Sequence, residues 1–447
     1  MTQPRQPFFR HPAQAIVVGF ALAVLVGAGL LALPLSRVGP EGAPFVTALF
    51  TSTSAVCVTG LVTVDTPTYW TGFGQAVILA LIQVGGFGIM TMASLLGMLV
   101  SRRMGLRSRL TAAAETKSIG IGDVRRVLVG VLKVTLLFET VTAALLFGRF
   151  LIGYDEPVWR AAYLGVFHAV SAFNNAGFGL YTDNLIPFAT DPWICVPIAV
   201  AVIAGGLGFP VLFELRRHYR RPARWSLHTK LTVSVSAALL VLGAVFVTAA
   251  EWSNPATLGQ FDTGGRLLAG SFHGVMPRTA GFNSLDVGAM YQGTWLGTIV
   301  LMFIGGGSAG TAGGIKVTTF IILFFAIVAE VRGERTVHAF DRRVDSRVQR
   351  QALTVALLAV AAVVSGTLVI MEMTDYALGE VLFEVTSAFA TVGLSTGITA
   401  DLPTPAQVVL VLLMFLGRLG PVTLVSALAL RERQRLYELP EGRPVIG

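Results

Sequence analysis

Four short stretches carry the residues that could do chemistry: FTSTSAVCVTGL (50–61), FHAVSAFNNAGF (167–178), SFHGVMPRTAGF (271–282) and FEVTSAFATVGL (383–394). Each closes on a small or β-branched residue, a glycine, and then Leu or Phe. Glycine reaches φ > 0 without a Cβ clash, so an extended, glycine-terminated segment can turn its peptide carbonyls to one side. A ring of such carbonyls replaces the hydration shell of a monovalent cation. The candidate ligands are therefore main-chain oxygens at Val58, Thr59 and Gly60, at Asn175, Ala176 and Gly177, at Thr279, Ala280 and Gly281, and at Thr391, Val392 and Gly393. One such glycine alone would read as a helix C-cap or a loop. Four in register, at intervals near 110 residues, read as an internal repeat.

The elements that must position these turns lie in a membrane. The chain has 447 residues, 54% hydrophobic and 13% charged, about half the charged fraction of a soluble protein. Apolar runs long enough to cross the hydrocarbon, about 20 residues each, begin near Ala13, Gly74, Leu128, Trp193, Thr229, Thr294, Ala352 and Ala406. Between the members of each pair sits a shorter apolar segment, at 43–57, 159–173, 264–276 and 378–390. These are too short to span and read as re-entrant helices. The expected fold is an all-α polytopic membrane protein of four span–pore helix–span repeats, with eight transmembrane helices around one pseudo-fourfold pore. The repeats fall at 1–105, 106–222, 223–340 and 341–447.

Charge sets the orientation. The net charge of +8 comes from basic clusters between spans, at 101–109, 216–224 and 331–350, and in the tail at 431–435. These face the cytoplasm under the positive-inside rule, which puts both termini there. Of the chain's 25 acids, ten that fall in the alternate loops are Asp65, Asp155, Glu156, Asp183, Asp191, Glu251, Asp262, Asp286, Asp375 and Asp401. Such an outer face would concentrate cations. The basic excess orients the chain and does not imply nucleic acid. Cys57 and Cys195 sit in apolar contexts and read as small packed residues. The first apolar run is too long for a signal peptide and lacks a cleavage site.

A re-entrant helix entering from outside points its C-terminus, with about half a negative charge, at the axis. A second glycine-rich element interrupts the span after each turn, at 83–91, 203–211, 304–319 and 416–424. Close helix packing by small residues accounts for the first two. The third, IGGGSAGTAGGIKVTT, cannot hold a continuous helix at roughly 1 kcal/mol per glycine, and predicts a flexible loop below the filter. It is not a phosphate loop, because Lys316 is neither adjacent to a glycine nor followed by Ser or Thr. The spacing of His, Cys and Glu suggests no resident metal, and the spans offer almost no ionisable pairs for an enzyme.

The quoted segments, with IGGGSAGTAGGIK and GRLGP, resemble the Trk/Ktr/HKT superfamily of potassium transporters over nearly the whole length, and the short termini fit its compact KtrB type. The resemblance implies potassium as the transported ion, since all four filter positions keep glycine where sodium-admitting members carry serine at the first. It implies an intramembrane gating loop at Gly305, Gly306, Gly307, Ser308, Ala309, Gly310, Thr311, Ala312, Gly313 and Gly314, with Lys316 either ending the gate or anchoring the next helix. It places Arg418 beneath the filter as a positive barrier and an anchor for loop carbonyls. It further implies a homodimer in a bacterial-type cytoplasmic membrane and a cytosolic KtrA-type ring that binds ATP or ADP, with no nucleotide on this chain and sodium as a candidate activator. Arg278 is expected to point away from the axis, against Glu384 or another acid. Asn174 and Asn175 could contribute amide oxygens, although the backbone reading suffices, and His168 and His273 are expected to pack. The competing reading is a secondary transporter with broken helices and alternating access, which typically shows two repeats, often inverted.

Overall fold

The computed structural model describes residues 12–102 and 121–420. The basic stretch 103–109, the tail at 431–435 and both chain ends lie outside the described residues. The chain is helical: α1 (Pro12–Leu31), α2 (Phe45–Val56), α3 (Gly72–Arg102), α4 (Ile121–Gly153), α5 (Val158–Phe173), α6 (Pro192–Leu207) and α7 (Phe209–His218). There follow α8 (Leu227–Glu251), α9 (Thr263–Val275), α10 (Gln292–Phe303), α11 (Val317–Val331), α12 (Ser346–Met371), α13 (Leu378–Ala390) and α14 (Thr404–Leu419). A two-residue β-hairpin, His338–Ala339 with Arg342–Arg343, joins α11 to α12.

Among the described residues, α8, α12 and the Val127–Gly153 part of α4 are long and apolar enough to cross a bilayer. The α6–α7 pair forms a fourth such stretch, bent by 102°. Other helices are apolar but shorter, and two of these, α10 and α11, are separated by the glycine-rich run. Leucines and valines such as Leu25, Leu137, Leu242, Val245 and Leu357 stand exposed on the outer faces of these helices. No water-soluble surface would be built that way, whereas lipid solvates it without cost.

The four short helices α2, α5, α9 and α13 fall within one or two residues of the segments read from sequence. Toward their C-termini these helices are deeply buried: Ala55 and Val56, Ala172 and Phe173, Phe272 and His273, Ala388 and Phe389 each have 3% exposure or less. Glycines on the following helix make this close approach possible. A Cβ on Gly85 of α3 would collide with the carbonyl of Val56, one on Gly205 of α6 with that of Phe173, and one on Gly417 of α14 with that of Phe389. The packing reading of the first glycine stretch therefore holds, because α3 runs through it unbroken. For the second it is incomplete. Gly205 does pack, but Gly208 at φ +91° ends α6 and turns the chain.

The third short helix ends earlier than its counterparts. Pro277 stands where Val56, Phe173 and Phe389 stand in the other repeats. It has no N–H to donate and disfavours helical backbone at the residue before it, so α9 stops at Val275.

Candidate functional site

Each short helix delivers its chain into the same unusual backbone. Val58, Asn175, Thr279 and Thr391 take left-handed φ of 56°, 60°, 68° and 50°, and two residues later Gly60, Gly177, Gly281 and Gly393 take φ of 92°, 71°, 70° and 95°. A non-glycine residue held there, β-branched above all, costs on the order of 1–3 kcal/mol and persists only where its surroundings over-determine it. The bracing is visible. Thr59 N donates to Ser54 O at 2.7 Å, Ala176 N to Ser171 O at 2.7 Å, and Val392 N to Ser387 O at 2.8 Å. The Ser54 and Ser387 hydroxyls also accept from Gly60 N and Gly393 N at 3.0 and 3.1 Å. In the third repeat valine replaces the serine, and Ala280 N donates to Met276 O at 3.0 Å instead.

The four glycines close a ring. A Cβ on Gly60 would collide with Ala176 O and lie 3.2 Å from Gly177 Cα. One on Gly177 would lie 2.8 Å from both Ala280 O and Gly281 Cα. One on Gly281 would collide with Val392 O and lie 3.1 Å from Gly393 Cα. One on Gly393 would collide with Thr59 O and lie 3.1 Å from Gly60 Cα, which completes the circuit. The carbonyls of Thr59, Ala176, Ala280 and Val392 thus each abut the glycine of a neighbouring repeat. No side-chain carbon fits in that ring.

Above it opens a cavity of about 500 Å³ lined by all four glycines together with Asp65, Asp183 and Asp286. Three carboxylates at the mouth raise the local cation concentration. Its walls are tied across repeats: Thr182 Oγ1 donates to Asp65 Oδ2 at 3.1 Å, and Leu185 N to Asn283 O at 3.1 Å. Tyr181 also lines it. Burial, aided by the Glu156 carboxylate, pushes its phenol up to about 12, so the group stays neutral. Several of the outer acids read from sequence are engaged, Glu251 and Asp191 most deeply. Glu251 is buried and accepts from Asn254 Nδ2 at 2.6 Å, Thr257 Oγ1 at 2.7 Å and Tyr291 N at 3.0 Å. Asp191 pairs with Arg149 at 2.6 Å and caps α6 through Trp193 N at 2.9 Å.

Below the ring runs the glycine-rich interruption. Its neck is closed by Gly305 N donating to Ile315 O at 2.8 Å and Val317 N to Gly306 O at 3.1 Å. On one side the loop docks into the α6–α7 bend, with Gly307 N to Gly206 O at 2.8 Å, Thr311 N to Gly205 O at 3.2 Å and Phe209 N to Ala309 O at 3.4 Å. Thr311 Oγ1 also donates to the side chain of Asn175 at 2.9 Å. On the other side, a Cβ on Gly313 would lie 2.8 Å from Ala390 O, and one on Gly314 3.2 Å from Ala390 Cβ. The loop therefore touches the second and fourth turns, opposite members of a four-membered ring, and crosses beneath it. Arg418, 4% exposed, donates to the carbonyl of Thr311 and, at 3.3 Å, to Gly85 O. Lys316 donates to Ala312 O within the loop.

Other side chains settle as packing. Asn174 donates to Gln83 Oε1 at 2.9 Å and Glu139 Oε1 at 3.1 Å. His168 Nδ1 lies 2.8 Å from Leu164 O, and its Nε2 accepts from Leu180 N at 3.3 Å. His273 and both cysteines are buried. Glu384 does not meet Arg278, contrary to expectation. It is filled by Ser395 Oγ at 2.6 Å, Thr396 N at 2.8 Å and Thr399 Oγ1 at 2.7 Å, which fasten the loop after the fourth turn. The sequence reading also missed the Asn175–Thr311 link, which joins residues 136 apart and leaves no trace in spacing.

A helical membrane protein that gathers four equivalent glycine turns into one ring, with a loop crossing beneath, has the architecture of a pore-type transport protein. The chain belongs to the TrkH family of cation transport proteins, whose family model matches residues 15–437. It is 40% identical to Ktr system potassium uptake protein B of Bacillus subtilis (strain 168) over 98% of this chain and 97% of that one. It is 36% identical to the protein of the same name from Vibrio alginolyticus, over 97% of this chain and 94% of that one. Identity to the potassium/sodium uptake protein NtpJ of Enterococcus hirae is 34%, over 98% of this chain and 97% of that one. In fold it is similar to the crystal structure of the potassium transporter TrkH from Vibrio parahaemolyticus, with a TM-score of 0.73 at 16% identity, over 96% of this chain and 87% of that one.

Proposed function

We propose that the chain takes up potassium across the cytoplasmic membrane through a filter of main-chain oxygens at 58–60, 175–177, 279–281 and 391–393. The residues at 305–314, with Lys316 and Arg418, act as its gate. Eight spans and four pore helices in four repeats, with both termini cytoplasmic, make one membrane domain. The observation that carries this reading is the closed ring of glycine turns, each bringing a carbonyl of its repeat against the next glycine. An ion stripped of water needs several oxygens at once, and four chain segments of like conformation supply them symmetrically. The relatives named for potassium uptake support the choice of ion. Their designation as parts of a Ktr system supports control by a cytosolic nucleotide-binding partner. A homodimer and sodium activation complete the proposal. NtpJ, named for potassium and sodium, keeps sodium open as a second ion.

The test is flux into liposomes holding the purified chain. Rubidium uptake driven by an outward potassium gradient should be competed by external potassium and left almost unchanged by equal sodium. Equal competition by both ions would remove the selective filter.

A further inference from the structure

Among the described residues, no acid meets the charged side chain that stands beside the third turn. Arg278 precedes the third turn and is 6% exposed. Its Nε and Nη1 are buried without a hydrogen-bond partner. A guanidinium does not shed its proton, so the charge persists, and an uncompensated buried charge is among the costliest arrangements a fold can hold. The acid nearest in sequence logic, Glu384, is occupied by Ser395, Thr396 and Thr399.

The side chain lines a small cavity between α6, α8 and α9, where Ser236 supplies a second polar group and Val202, Leu240 and Val275 supply apolar walls. We propose that this cavity binds a single monatomic anion of chloride size, held by Arg278 and the Ser236 hydroxyl. At about 20 Å³ it exceeds the roughly 10–15 Å³ that one water-sized body needs, so a small ion has room there. Water would satisfy the N–H groups and leave the positive charge unopposed. A halide satisfies both, and the apolar walls suit an ion that is weakly hydrated.

The position gives the anion a consequence. Gly306, at the neck of the loop, and Gly206, whose carbonyl receives Gly307 N, also line the cavity. Arg278 directly precedes Thr279, the left-handed residue of the third turn. A bound anion cancels a charge that would otherwise oppose any cation in the ring, and it does so on the wall where the loop docks.

The experiment uses the full chain in detergent. Equilibrium binding of radiolabelled chloride should saturate at one ion per chain. Crystals soaked in bromide should give one anomalous peak within hydrogen-bond distance of Arg278 and Ser236. Arg278→Gln should weaken binding more than tenfold. Ser236→Ala, which leaves the arginine and the third turn intact, should weaken it about tenfold, the loss of one hydrogen bond to a charged acceptor. A bromide map with only water in the cavity would overturn the proposal, and so would chloride binding that neither substitution changes.

Discussion

Replacing Arg418 by Gln isolates what holds the loop beneath the ring. Arg418 donates to Thr311 O in the loop and to Gly85 O in α3. Only the first contact depends on the loop's position, since Gly85 lies within a continuous helix. A hydrogen bond from a charged donor is worth about 1.5–3 kcal/mol net. At 1.4 kcal/mol per tenfold, its loss shifts the closed-to-open ratio by about 10- to 150-fold. Glutamine is shorter and neutral, and can recover at best about 1 kcal/mol of this. The charge acts in the same direction, because a cation passing at about 5 Å from a guanidinium meets ~3 kcal/mol of repulsion at an effective dielectric of about 20.

The two terms together predict that Arg418→Gln raises rubidium flux at least about tenfold in liposomes lacking any cytosolic partner. Arg418→Lys keeps the charge but loses the planar fork, and should fall between wild type and Gln. Protein quality is checked by an unchanged elution profile and unchanged thermal unfolding in detergent. A folded Arg418→Gln protein with wild-type flux would refute both the anchor and the barrier, leaving the arginine a structural residue.

Gly60→Ser would set a Cβ against Ala176 O at a φ of +92°, so the ring must widen; sodium should then compete with rubidium uptake, and unchanged competition would count against the filter. Deleting 308–312 removes the part of the loop that docks on Gly205 and Asn175. Flux without a partner should rise, and a silent deletion would end the gate assignment. Thr311→Val removes the 2.9 Å bond to Asn175, worth about 0.5–1.5 kcal/mol or roughly 2- to 10-fold in gate opening. Flux indistinguishable from wild type would mean that this link does not hold the loop.

The positions of the short helices and turns were legible because they repeat. A glycine in register four times fixes the period, and the period fixes where each short helix must end. What stayed hidden depends on contacts between repeats. The bend at Gly208 looked like small-residue packing because a packing glycine and a hinge glycine have the same letter, and only the loop lodged against Gly205 and Gly206 distinguishes them. Glu251 and Asp191 looked like solvated outer acids. Sequence shows their loops but not the Asn254, Thr257 and Arg149 side chains that fill them. Arg278 was expected to find an acid, but Glu384 lies in another repeat and its oxygens were already taken.

The departures from fourfold likeness gather in the third repeat, and there is a physical reason why they can. The ring is closed by main-chain atoms and by glycines that tolerate no Cβ, so the side chains around it are free to differ as long as the backbone is braced. Three repeats brace it through the serine carbonyl six residues before the glycine. The third, shortened by Pro277, does so through Met276. Freed from the common cap, that repeat carries a buried arginine beside its turn and an interrupted span below it. Only one loop need cross a single axis, and a second loop there would compete for the same space. The α6–α7 bend fits this economy, since it opens the neighbouring repeat just where the loop must seat, with Gly208 at φ +91° against the loop's Ser308 and Gly310.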